Sequence, residues 1–181
     1  MRLLRASLAA IGWMAAAGAE VSSPECRVLL TVGGDLPDAN ATGGAADDTT
    51  FAGYLDLEYD KAVAFDDAML GRLPQHEVKA MLLDTGKEIA YSGPRLSDVL
   101  KASGAEGRTA LPMALDGYQA EIPWDQIEKY QPILATHGDG VPLPLGKLGP
   151  AMIVFPVVAD KEIYESFGAL EVFATFFIAV E

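Results

Sequence analysis

The chain predicts an α+β protein, a β-rich mixed sheet with short helices, on three observations. Between residues 91 and 156 the turn signals S-G-P, D-G-Y, G-D-G and L-G-P punctuate apolar runs too short for long helices and suited to strands. One helix is legible inside that stretch: Leu96, Val99 and Leu100 recur at i, i+3 and i+4, and Gly104 stands where a left-handed C-cap belongs. Finally, residues 170–180 are apolar on both alternating faces, with Val172, Phe176, Ile178 and Val180 on one and Phe173, Phe177 and Ala179 on the other. A strand of that kind is expected to be central and buried on both sides.

In chain order, residues 1–19 (MRLLRASLAAIGWMAAAGA) place Arg2 and Arg5 before an apolar segment that ends in Ala17-Gly18-Ala19. This is a secretory signal pattern, too short and too alanine-rich for a membrane span, and it implies a periplasmic or secreted protein. Residues 20–181 then form a single expected domain. Cys26 follows Ser23, Pro24 and Glu25, which is no lipobox, so a lipid anchor is not expected. Removing residues 1–19 takes away two arginines and no acid, so the formal charge of −13 becomes −15. Such a surface repels phosphate backbones and anionic headgroups, which excludes nucleic acid and direct lipid binding as expected partners. With one cysteine there is no internal disulfide. Cys26 reads as a buried or inert thiol, because no His, Lys or second Cys stands near it in sequence to activate it.

Residues 27–32 (RVLLTV) read as the first strand and residues 33–50 as a polar Gly/Asp/Ala loop, longer than an ordinary connection. Asp35, Asp38, Asp47 and Asp48 do not follow the spacing of a calcium loop. Phe51, Tyr54, Leu55, Leu57 and Tyr59 suggest a second strand. Asp66-Asp67 opens a short helix that ends at Leu73-Pro74, since acids favour a helix N-terminus. Residues 75–83 and 88–92 read as a hairpin turned at Asp84-Thr85-Gly86-Lys87. Asp116-Gly117 signals a type I′ turn between strands at 113–115 and 119–122, and Pro123-Trp124 starts another short helix. Residues 132–135 form an apolar strand that runs into the glycine-flanked loop 136–140, and residues 157–168 form a loop or short helix.

No nucleophile, base and orienting group stand together, since Ser92, Ser97, Ser103 and Ser166 lack a G-x-S-x-G context. His76 and His137 are the only histidines and Cys26 is remote from both, a poor set for zinc, so no metal is expected. No P-loop, Rossmann fingerprint or internal repeat is present. In the D-G-Y turn, Tyr118 can stack on a heteroaromatic ring and Asp116 can accept from an amino-pyrimidine edge. Plain turn chemistry with an amphipathic tyrosine at a rim accounts for the same three residues.

The succession SGPRLSDVLKASGA, ALDGYQAEIP, ILATHGDGVPL and GPAMIVFP resembles the small secreted members of the sulfite-oxidase-type, molybdopterin-binding domain family, over roughly residues 66–181. The resemblance implies a sulfite-oxidase-like fold with a pterin-shaped pocket. Catalytic members carry a molybdenum-ligating cysteine in the region that Val78, Lys79, Ala80, Met81, Leu82, Leu83, Asp84, Thr85 and Gly86 occupy here, and none of these is cysteine. Met81 offers only a neutral thioether, not the anionic sulfur a high-valent oxo-metal needs. The family's Asn-His motif is missing, and Gly149-Pro150 is followed by Ala151, Met152 and Ile153 instead of a basic residue. Lys79, Arg95, Arg108, Lys129, Lys147 and Lys161 are scattered along the chain instead of clustered for a phosphate tail.

The expectation is therefore an exported binding protein for a pterin-type ligand, with no catalytic residues and no molybdenum. By resemblance Asp116, Tyr118, His76, His137 and Phe173 are its ligand-binding residues, and a membrane-bound signalling protein is its partner. One alternative is a molybdopterin-dependent oxidoreductase that holds its metal through dithiolene sulfur alone. The other is an adaptor domain whose pocket has closed. Cys26 at the mouth of the cradle, facing clustered arginines and lysines, would overturn the noncatalytic reading.

Overall fold

Burial of both faces of the last strand sets the architecture. A computed structural model describes residues 21–44, 51–81 and 86–181; the signal pattern at 1–19, part of the polar loop (45–50) and most of the hairpin tip (82–85) lie outside the described residues. Strand β11 (Thr175–Val180) lies inside a five-stranded sheet, parallel to β1 (Val28–Gly34) and antiparallel to β6 (Ala110–Ala114). Beyond β1 come β3 (Tyr59–Asp66) and β2 (Ala41–Gly44), both antiparallel to their neighbours, giving the order β2-β3-β1-β11-β6.

One face of this sheet carries the main core. Leu30, Val32, Val63, Phe65 and Ile178 meet Leu96, Val99 and Leu100 of helix α3 (Leu96–Ala102) and Ile127 of helix α4 (Trp124–Tyr130). Each such buried side chain contributes about 1.5–3 kcal/mol of hydrophobic stabilisation. Phe155 and Phe167 stack at 4.4 Å in the same core. The other face is covered by a smaller cluster of Leu57, Met113 and Phe177, with the Tyr59 ring stacked 5.2 Å from Phe177. So β11 is apolar on both sides because both sides meet apolar partners.

Helix α3 ends as its sequence predicts. Gly104 takes φ 75°, its N–H donates to Lys101 O at 3.0 Å, and the Ala105 N–H donates to Leu100 O at 2.8 Å. This is the doubly bonded glycine stop that satisfies the last carbonyls.

A second layer consists of a four-stranded sheet with a two-stranded pair packed against it. The expected hairpin is β4 (Gln75–Met81) against β5 (Glu88–Pro94), antiparallel through seven residue pairs. The loop expected at 136–140 contributes strand β8 (His137–Gly138), between β5 and β9 (Val141–Pro142). Strand β7 (Ile133–Ala135) pairs with β10 (Met152–Val154). Val78, Ala80, Ile89 and Tyr91 from the hairpin are buried against Ile133, Ala135, Met152 and Val154.

Four expectations are corrected. Residues 51–59 are not one strand: α1 (Phe51–Tyr54) is helical, Asp56 turns the chain at φ 52°, and β3 begins at Tyr59. Leu57 is buried by this fold-over against the second face of the sheet, not by strand pairing. The loop at 33–50 contains strand β2, approached through Asn40, whose side chain donates to Ala64 O at 2.9 Å and accepts from Ala64 N at 2.7 Å. An asparagine that pairs like a backbone unit can lead a polar segment onto a sheet edge. The turn at Asp116-Gly117 is not type I′, because Gly117 alone has positive φ (87°); its N–H donates to Ala114 O at 2.9 Å, and the Ala114 N–H to Tyr118 O at 2.8 Å. This is a three-residue loop closed by a left-handed glycine. Finally, regular strand structure at the C-terminal end starts only at Thr175, after the 3₁₀ turn Phe167–Ala169; the connection before it carries helix α5 (Lys161–Ser166).

Candidate functional site

A carboxylate organises one wall of a cleft between the two layers. Asp66 is almost wholly buried at the end of β3 and caps helix α2 (Asp67–Arg72), its Oδ1 accepting from Met69 N at 2.8 Å. Its Oδ2 accepts from the N–H groups of Glu25 at 2.8 Å and Cys26 at 3.0 Å. The Met69 N–H foremost, then those of Cys26 and Glu25 and the Arg72 charge, hold the Asp66 carboxyl below the ordinary range against the opposing effect of burial. One side chain thus fixes the start of a helix and the segment leading into β1. That segment, Cys26 to Leu29, forms a wall of the cleft.

The cleft has a volume of about 600 Å³ and lies where the two layers meet. Leu115 beyond β6, Phe176 of β11 and Asp67 of α2 line it from the five-stranded side. Thr136, Pro142, Leu143, Leu145 and Pro150 line it from the second layer. Its walls are mainly apolar, with four polar side chains: Cys26, Arg27, Asp67 and Thr136. This balance, apolar walls with a few placed polar groups, is that of a small-molecule site. Arg27 and Asp67 form no ion pair with each other or with any other described residue.

Cys26 is exposed and lines this cleft, which corrects the expectation that the thiol is buried. The tertiary fold brings it there through Asp66, a partner 40 positions away that local sequence does not reveal. In the hairpin region where the resemblance puts a metal-ligating cysteine, Val78 and Ala80 are buried in the second core cluster, and residues 82–85 lie outside the described residues.

None of the five residues expected to bind ligand lines the cleft. Asp116 accepts from Tyr118 N at 3.0 Å, and the Tyr118 hydroxyl donates to Ala169 O at 2.8 Å, so both serve the turn; their neighbour Leu115 is the cleft residue. His137 is half-buried with Nδ1 2.9 Å from the hydroxyl of Thr136, which does line the cleft. His76 faces Asp98 of α3 across 4.0 Å. Phe173 is 37% exposed just before β11, and Phe176 is the aromatic that reaches the cleft. Arg27 and Asp67 carry no sequence signal of function: one reads as part of a strand, the other as an ordinary helix-start acid.

Behind Leu143, the Tyr91 side chain is 1% exposed, and its hydroxyl has no hydrogen-bond partner among the described residues. Burial first, then the Glu171 and Asp139 charges, push its phenol up. Glu171 is itself raised by burial, partly offset by the Phe155 N–H that its Oε1 accepts at 3.1 Å. Among the described residues no group of three or more His, Cys, Asp or Glu is arranged to hold a metal ion.

A complete molybdopterin cofactor, with its anionic phosphate tail, does not fit this donor set. A phosphate calls for clustered or bidentate cationic partners, and the cleft offers Arg27 alone with Asp67 on the same wall. The Cys26 thiol is the one group on the cleft wall suited to a soft metal.

No family model and no curated protein sequence matches the chain. Among solved structures it is similar to the crystal structure of the sulfane dehydrogenase SoxCD from Paracoccus pantotrophus, with a TM-score of 0.55 and 16% identity over 84% of this chain. The chain spans 38% of the length of that protein. This is a distant relationship of fold: a mixed α+β architecture, sheet-rich with short helices, of the sulfite-oxidase-like type.

Proposed function

We propose that the protein binds a flat, pterin-type heterocycle in the cleft between its layers and performs no molybdenum chemistry itself. The supporting observation is the cleft: about 600 Å³, largely apolar, with one guanidinium, one carboxylate, one hydroxyl and one thiol on its walls. A bicyclic ring with a polar edge matches that mixture, and a phosphorylated cofactor does not. In this reading the protein acts outside the cytoplasm and reports ligand occupancy to a membrane-bound signalling partner.

Cys26 provides the test without any engineered label. A pterin titrated into the protein gives saturable calorimetric heat and slows modification of Cys26 by a thiol reagent; its phosphate monoester binds no more tightly. No saturable heat up to millimolar pterin, with unchanged thiol labelling, refutes the reading.

A second reading, a molybdopterin-dependent oxidoreductase, is favoured by the Cys26 thiol on the cleft wall and by the fold likeness to a dehydrogenase. Elemental analysis of protein from a molybdenum-replete host separates the two. About one molybdenum per chain establishes the enzyme and displaces the binding-protein reading.

A further inference from the structure

Resting on the pterin reading, we infer that Asp67 is the group that selects the ligand, by accepting the two adjacent N–H donors of a 2-amino-4-oxopyrimidine edge. Of the four polar side chains on the cleft wall, Arg27 only donates, whereas Cys26 and Thr136 are single weak or rotatable groups. Thr136 is in addition engaged with His137 Nδ1 at 2.9 Å. Asp67 is the one residue there with two acceptor oxygens, and neither has a partner among the described residues. Its neighbour Asp66 is consumed by three backbone N–H groups, whereas Asp67 lines the cleft with an exposed carboxylate that is not so engaged.

The recognition is chemically specific. The amino group and ring N–H of a pterin form a two-donor fork of the kind a carboxylate accepts bidentately, as it does a guanidinium. Lumazine has the same bicycle with a carbonyl in place of the amino group, so it sets an acceptor against an acceptor. The amide introduced by Asp67→Asn presents one acceptor and one donor, which complements the lumazine edge instead. The acidic side chain therefore selects for the amino group, and Arg27 is left for a polar substituent at the far end of the ring.

Pterin and lumazine are titrated against the native protein and against Asp67→Asn, with heat and Cys26 labelling as readouts. Native protein is expected to prefer pterin by at least about tenfold, as for loss of a hydrogen bond to a charged group. The Asp67→Asn variant is expected to lose at least about tenfold on pterin and to reverse the preference. Equal binding of pterin and lumazine by the native protein overturns the inference, as does an unchanged preference in a folded variant. If the variant does not fold, the two ligands on native protein decide alone. Failure of the native protein to bind pterin at all refutes the proposed function itself, an outcome distinct from binding without discrimination.

Discussion

Replacing Gly149 with alanine tests how tightly the exposed rim of the cleft is built. A Cβ at Gly149 meets the backbone of the loop it packs on: it overlaps Leu143 O and comes within 2.5 Å of Leu143 C and 3.0 Å of Pro144 C. These are main-chain atoms, so no side-chain rotation relieves the overlap. The segment from Leu143 to Leu145 must move outward, which loads the bonds from Gly149 N to Pro144 O (3.2 Å) and from Leu143 N to Thr136 O (2.8 Å). Overpacking costs about 1–3 kcal/mol, and each weakened bond adds about 0.5–1.5 kcal/mol. Because Leu145 is 67% exposed, the loop can yield toward solvent, which places the cost near the low end, about 2 kcal/mol. For a chain of this size that lowers the melting temperature by about 4–8 °C.

The same movement carries Pro142, Leu143 and Leu145 away from the opposite wall, so ligand affinity falls together with stability. The assay pairs thermal unfolding by circular dichroism with pterin calorimetry, using Gly71→Ala as control. Gly71 lies within α2 with nothing inside 4 Å of an added Cβ, so alanine there gains about 0.5–1 kcal/mol and leaves binding unchanged. A Gly149→Ala protein that melts within about 1 °C of the parent and binds equally well refutes the packing account.

Three further outcomes are expected. Glu171→Gln keeps an acceptor for the Phe155 N–H and removes a charge that burial disfavours. Because the folded carboxyl titrates above its unfolded value, the parent loses stability as pH rises through the folded value; the variant should be the more stable near pH 8 and equal to it near pH 4, and equality at both is the contrary result. Asp66 titrates below its unfolded value, so its stabilisation is present above about pH 4 and lost as pH falls through the folded value. Urea unfolding of Asp66→Ala should show a large deficit near neutrality that shrinks in strong acid, with faster Cys26 labelling at neutral pH; a deficit independent of pH contradicts the assignment. Phe167→Ala removes a ring that is 2% exposed and stacked on Phe155, and should cost about 3–5 kcal/mol in denaturant unfolding, against under about 1 kcal/mol if the ring is loosely packed.

The parts of the fold legible in the sequence are those whose signals are local. The α3 stripe with Gly104, the paired acids opening α2, the hairpin around residue 85 and the doubly apolar run ending at Val180 each carry their own periodicity or stop signal. Strand β2 and the fold-over at Asp56 were not legible, because both depend on distant partners: Asn40 on Ala64, and Leu57 on Met113 and Phe177. The cleft was illegible for the same reason. Its walls come from segments spread between Cys26 and Phe176, and Asp66, which ties Cys26 to the start of α2, is in sequence indistinguishable from an ordinary helix cap. His137 and Asp116 come within one residue of the cleft because turn and glycine signals mark where loops gather, not which side chain in them faces inward.

The side-by-side alignment of β1 and β11 bears on how the molecule is made. Thr31 to Gly34 find their parallel partners only in Phe177 to Val180, so β1, paired with β3 on its other side, stays an edge strand until β11 is available. A nascent chain holding only the first half exposes Leu30 and Val32 with nothing alongside on that edge. Closing the sheet between β1 and β6 therefore waits for β11, and cleavage before Thr175 would leave β1 held by β3 alone.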